Sequence, residues 1–117
     1  MYFLVVFILN DPDRCSDILD AWEDAGVRGI TILESSGLGR VRQAGMRDDL
    51  PLIPSLSDLF KHSETRHRTL LTVVKEQNQI DAIVNATQEI IGDLEQEDTG
   101  LLFIVPVSQV YGKSKLG

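Results

Sequence analysis

Cysteine is almost absent: Cys15 is the only one in 117 residues, so a disulfide-stapled scaffold is excluded. Basic residues are also scarce. Eleven Lys and Arg stand against 18 Asp and Glu, for a net charge of −7. A chain this acidic lacks the basic face that general nucleic-acid binding requires. Long hydrophobic runs are missing too. Tyr2 to Leu9 is apolar throughout, but Asn10, Asp11 and Pro12 end it at once. A membrane helix needs about 20 apolar residues, and a signal peptide needs a basic start and a small-residue cleavage site. The segment is therefore expected to be a buried first strand of a cytoplasmic protein with no direct membrane insertion. Internal repeats and low-complexity tracts are absent.

What is present is the balance of an ordinary globular domain: 43% hydrophobic and 25% charged residues. The length predicts one domain over residues 1–117, with a modest core. After the first strand, Asp11 followed by Pro12 has the form of a helix start, an N-cap carboxylate before proline. Ile18, Leu19, Trp22 and Ala25 then fall at helical spacing, and Gly26 is the expected stop. Gly29 to Leu33 reads as a second strand, broken from Ser35 onward. Thr69 to Val74 reads as a third. The clearest helix carries Ile80, Ile83, Val84, Thr87, Ile90, Ile91 and Leu94 on one face. An acidic turn, Asp93 to Thr99, closes at Gly100. Leu101 to Val105 is a fourth strand, and a polar tail follows from about residue 108.

The order β-α-β, long connection, β-α-β is that of the split βαβ or ferredoxin-like arrangement. The expected fold is α+β, a four-stranded antiparallel sheet with both helices on one face. The connection, about residues 36–67, far exceeds the usual loop length, and such loops are commonly functional. A sheet with one helical layer should alternate apolar and polar residues. These strands are continuously apolar instead, so the second face also requires cover. Copies of the same chain would supply it, predicting a homo-oligomer. The alternative is that the long connection folds back over the sheet.

Charge is unevenly placed. Residues 40–68 hold six basic side chains and four acidic ones, a balance of +2, which leaves −9 on the remainder of a chain at −7. This electropositive segment suits a phosphate, a carboxylate or an acidic protein surface, and equally reads as a solvated mixed-charge loop. His62, Glu64 and His67 lie close in it, but H-x-E-x-x-H is not a helical i, i+4 pair and no second cluster supports a metal. Cys15 has no histidine near it in sequence. No Ser-His-Asp or paired-carboxylate arrangement assembles, so the chain is read as a binding module, not an enzyme. Gly37-Leu-Gly-Arg40 opens no helix and is no dinucleotide fingerprint; alone it reads as a plain turn.

In combination these fragments carry more. Asp17-Ile-Leu-Asp-Ala-Trp-Glu-Asp-Ala-Gly-Val-Arg-Gly-Ile-Thr31, then Glu34, then Gly37-Leu-Gly-Arg40, resembles the PII signalling family. There a helix leads into Gly-Val-Arg-Gly-Met-Thr, a strand, and Gly-Phe-Gly-Arg. Phe103-Ile-Val-Pro-Val107 is similar to the family's Phe-Val-Leu-Pro-Val strand. The resemblance covers residues 1–40 and 68–110. It implies a homotrimer with inward-facing sheets, inter-subunit clefts for a small anionic effector, and a long T-loop that docks on a transporter, enzyme or regulator. The implied ligand is an adenine nucleotide or a small anion. Ile8, Gly29, Thr31, Gly37, Gly39, Arg40 and Gly100 match cleft positions. Arg42, Arg47 and Lys61 fall in the partner-binding loop. Copper-tolerance proteins of the CutA type, metal-handling or enzyme-accessory trimers of the same fold, are the alternative, with a poorer match of residues.

The chain also departs from the family's pattern. No tyrosine lies between Tyr2 and Tyr111, so the loop tyrosine that some members modify is missing. The family's phosphate-binding turn reads Thr-Gly-Lys-Ile-Gly-Asp-Gly-Lys-Ile-Phe; here Glu95-Gln-Glu-Asp-Thr-Gly-Leu-Leu-Phe103 stands in its place. Gly100 is kept, Leu101 occupies the lysine position, and carboxylates beside it repel a triphosphate. An arginine pair expected after the last strand is replaced by Lys113 and Lys115. A divergent member with weakened ATP binding is the expectation.

Overall fold

The computed structural model describes residues 1–36 and 66–116. Four strands, β1 (Tyr2–Leu9), β2 (Thr31–Ser36), β3 (Arg66–Val74) and β4 (Gly100–Val107), form one sheet in the order β2-β3-β1-β4. Every neighbouring pair is antiparallel. Two helices, α1 (Cys15–Asp24) and α2 (Gln77–Ile91), join them. This is the ferredoxin-like α+β fold that the order of elements predicts.

Several boundaries differ from the sequence reading. β2 starts at Thr31, not Gly29, and runs on through Ser35 and Ser36, where loss of apolar character suggests a break. Pairing with β3 carries it: Ser35 faces His67 and Ser36 faces Arg66 in register. β3 correspondingly begins three residues before Thr69, at Arg66. Ladder hydrogen bonds, not side-chain hydrophobicity, set these ends. The Asp11–Pro12 start divides into two pieces. Pro12–Arg14 is a 3-10 turn whose Asp11 side chain accepts from the Asp13 amide at 3.0 Å, and the α-helix follows from Cys15.

The end of α1 shows why Gly26 is needed. The Val27 amide donates to the Trp22 carbonyl and the Gly26 amide to Glu23, both at 3.0 Å, while Gly26 takes φ +96°. That pair of bonds is a Schellman stop, which requires a left-handed residue. It tucks Val27 into the same core cluster as Trp22. α2 opens on a capping box in which Glu76 and Gln79 satisfy each other's backbone amides. α2 ends at Ile91, so Leu94 sits beyond the helix, though it still packs against the core.

Register separates the two faces of the sheet. Val5, Phe7, Leu9, Leu70 and Val74 point to the helices and bury with Ile18, Trp22, Val27, Ile80 and Ile83. Trp22 is fully buried, its ring centroid 6.2 Å from that of Phe7. Its indole N–H donates to Thr87 Oγ1 at 2.9 Å, and the Thr87 hydroxyl donates to the Ile83 carbonyl at 2.7 Å. This polar link between α1 and α2 in the core is thus saturated, as a buried polar pair must be. Arg14 ties the same helices at their outer end by donating to the Ile90 carbonyl.

The opposite face has no helix. Leu4, Val6, Ile8, Leu33, Leu71, Val73, Leu101, Phe103 and Val105 alternate onto it. Its centre is closed, with Val6 only 7% exposed, but Leu33 is 50%, Leu101 58%, Phe103 41% and Val105 40% exposed.

Candidate functional site

The described residues expected to line a cleft divide into two groups along the sheet. Ile8 lies near the end of β1 on the helix-free face, beside Leu101 in register. Gly100 abuts it. A Cβ on Gly100 would come within 2.6 Å of the Ile8 carbonyl and 2.9 Å of the Phe7 ring, and φ is +141°. Glycine is therefore fixed at position 100 by close backbone approach alone.

Gly29 and Thr31 stand elsewhere. Thr31 begins β2 and pairs with Leu71, so β3 and β1 lie between it and β4. The Gly29 carbonyl accepts from Thr72 Oγ1 at 2.6 Å, which anchors the approach to β2. The tail comes to this corner. Its 3-10 turn, Lys113–Lys115, brings the Lys115 carbonyl 3.9 Å from where a Gly29 Cβ would be, and Lys113 Nζ sits 5.4 Å from the centre of the Tyr2 ring. Arg28 is exposed beside it. The packing of the tail on Gly29 is not legible in the sequence, because Lys115 lies 86 positions further along the chain (115 − 29). Gly37, Gly39, Arg40, Arg42, Arg47 and Lys61 lie outside the described residues, as do His62 and Glu64.

Between α2 and β4 the turn is closed on itself. The Leu94 amide donates to Gln88 Oε1 at 3.2 Å, Glu95 to Asp93 Oδ1 at 2.9 Å, and Gln96 to the Asp93 carbonyl at 3.0 Å. Thr99 Oγ1 donates back to the Gln96 carbonyl at 2.9 Å. Glu95, Glu97 and Asp98 are exposed around it. The Leu94, Glu95 and Gln96 amides are engaged by the chain's own oxygens, and the exposed side chains around them are acidic.

Elsewhere, Glu34 and Arg68 pair across β2 and β3 at 3.0 Å on the helix side. Among the described residues no group of three or more His, Cys, Asp or Glu is placed to hold a metal, and no helix is long and apolar enough to cross a membrane.

Known proteins supply the remaining context. A search of curated protein sequences gave no significant match. The crystal structure of Arabidopsis thaliana PII bound to citrate superposes with a TM-score of 0.62 at 19% identity, over 97% of this chain and 85% of that one. At that identity the likeness speaks for the fold. The family model for nitrogen regulatory protein P-II matches residues 4–114, nearly the whole sequence, including both glycine elements and the last strand. Sheet order, the Gly26–Thr31 connection and this match agree, and the chain belongs to the P-II family of nitrogen regulatory proteins.

Proposed function

We propose that this chain, a single domain over residues 1–117, is a homotrimeric regulatory protein that senses a small anionic effector. Its three sheets face one another, the effector sits in clefts between subunits, and the segment between β2 and β3 engages a protein target. It works by binding, not by catalysis, in the cytoplasm. The observation that carries this reading is the helix-free face: four large apolar side chains stand open on a sheet whose strands are apolar on both sides. Exposed apolar area of that kind marks an interaction surface.

The division of the cleft residues supports the same arrangement. Gly100 lies on edge strand β4 with Ile8 beside it on β1, while Thr31 opens the opposite edge strand β2 and Gly29 precedes it, with β3 between the two groups. Two chains in head-to-tail contact would bring both groups to one small ligand. Citrate in the Arabidopsis relative is a small polycarboxylate and fits the proposed class of effector. Because the turn before β4 is acidic and self-closed, the cleft favours ligands of low charge over a triphosphate. Arg40 from the glycine element, Arg28 beside Gly29, and Lys113 and Lys115 from the tail are cations available to an anion. Arg42, Arg47 and Lys61 would meet the protein target.

Light scattering coupled to gel filtration should give three times the 13.0 kDa chain mass. Calorimetric titration with ATP, ADP, AMP, bicarbonate and citrate tests the effector. Each charge-assisted hydrogen bond to phosphate is worth about 1.5–3 kcal/mol, so without the lysine AMP or a small carboxylate should match or exceed ATP. A clean monomer would overturn the assembly, and micromolar ATP binding tighter than AMP would overturn the reading of the turn.

A further inference from the structure

Two groups of exposed side chains of opposite charge stand at opposite corners of the sheet. At one corner the turn leading into β4 exposes the Glu95 and Glu97 side chains, beside Gly100 and Leu9. At the diagonally opposite corner, leading into β2 and reached by the tail, Arg28 and Lys115 are exposed and Lys113 sits over Tyr2. Gly100 pairs with Leu9 and Val107 with Tyr2. Seven strand steps separate those ends, which is about 24 Å. The width of the sheet separates the edges as well, so the corners cannot meet within one chain. Among the described residues the side chains of Arg28, Lys115, Glu95 and Glu97 have no ion-pair partner.

We propose that the acidic corner of one protomer latches onto the basic corner of the next, so that Glu95 and Glu97 face Arg28 and Lys115 of a second copy of this chain. The inference rests on the assembly proposed above and adds an ion pair across its seam. Burial of the helix-free face supplies attraction without direction, because apolar contact is non-directional. Unlike charged corners supply the direction: acid meets base when copies dock heterologously, and a closed ring satisfies every corner once. The consequence for the cleft is regulatory. The chain's own carboxylates occupy the neighbour's cations, so an anionic effector must displace an ion pair to bind, and its arrival loosens the latch.

The test uses the full chain and two double variants, Glu95→Lys/Glu97→Lys and Arg28→Glu/Lys115→Glu, together with the fourfold variant that combines them. All four positions are exposed, and circular dichroism checks that each variant folds. Each double variant sets like charges together, and the concentration for half-dissociation, read by light scattering on dilution at low salt, should rise about tenfold or more. The fourfold variant exchanges the two corners and should restore assembly to within about threefold of the natural chain. Raising sodium chloride should weaken the natural chain and relieve the double variants. If the natural chain assembles and both doubles assemble equally well across salt, the latch is wrong while the assembly stands. A failure of the fourfold variant to recover where both doubles dissociate also overturns the pairing. If the natural chain is itself monomeric at micromolar concentration, the assembly fails and the latch with it.

Discussion

The two faces of the sheet are made from the same four strands and nearly the same residue types, yet they meet different surroundings. On the helix side Val5, Phe7, Leu9 and Leu70 are buried under α1 and α2. On the other, Leu101, Phe103 and Val105 remain open. Hydrophobic composition therefore says that both faces are meant to be covered but not by what. The first face folds the protomer; the second, in the assembly proposed above, joins protomers. Substitutions on the two should fail in different ways.

The sharpest contrast sets Val5 against Val105, which sit on β1 and β4 but point to opposite faces. Val5→Asp places an unpaired carboxylate in a fully buried position, at a cost of roughly 3–5 kcal/mol. Thermal unfolding should show a chain that is largely unfolded at ambient temperature. Gly100→Ala comes next. The added Cβ meets the Ile8 carbonyl and Phe7 ring, and the positive φ is strained, together about 2–4 kcal/mol. Urea titration should move the midpoint accordingly; an unchanged midpoint would mean that β4 shifts freely from β1. Thr87→Val keeps the shape but leaves the buried Trp22 N–H without its acceptor, at a cost of about 1–3 kcal/mol. Trp22 fluorescence and the denaturation midpoint report it, and Thr87→Ser should restore most of the stability.

Val105→Asp is expected to do least to the protomer, within about 0.5 kcal/mol, because the side chain already meets water. Its effect is on mass. The variant should keep its circular dichroism and migrate as a smaller species than the natural chain. Unfolding of this variant would show that the helix-free face belongs to the protomer's own core, and would erase the distinction between the faces.

Most of the fold was legible because its signals are local. The 3.6 spacing from Ile80 to Ile91, the Gly26 stop and the apolar β1 each report on residues close in sequence. The element order then admits few topologies, and the ferredoxin-like one follows from connection lengths. Less of the candidate site was legible. Strand ends at Ser36 and Arg66 depend on a partner strand, so residue character alone makes β2 too short. Gly100 resembles a ligand position, whereas the carbonyl of Ile8 already requires a glycine there. The acidic composition of the turn before β4 does not reveal its hydrogen bonds; only the structure shows the Leu94, Glu95 and Gln96 amides held by Gln88 and Asp93.

By itself the sequence determined composition, charge balance, helical and strand periods and the family motifs, since all of these are properties of neighbours along the chain. Tertiary structure decided which apolar face found helices, which glycine was squeezed by a carbonyl and which charges came to share a corner. Those depend on residues brought together across long intervals, such as Trp22 with Thr87 and Gly29 with Lys115, and no local pattern encodes such meetings. A strand apolar on both sides carries the same letters whether its second face meets a helix, a loop or another copy. Burial is a property of what arrives, so it is settled in space and not along the chain.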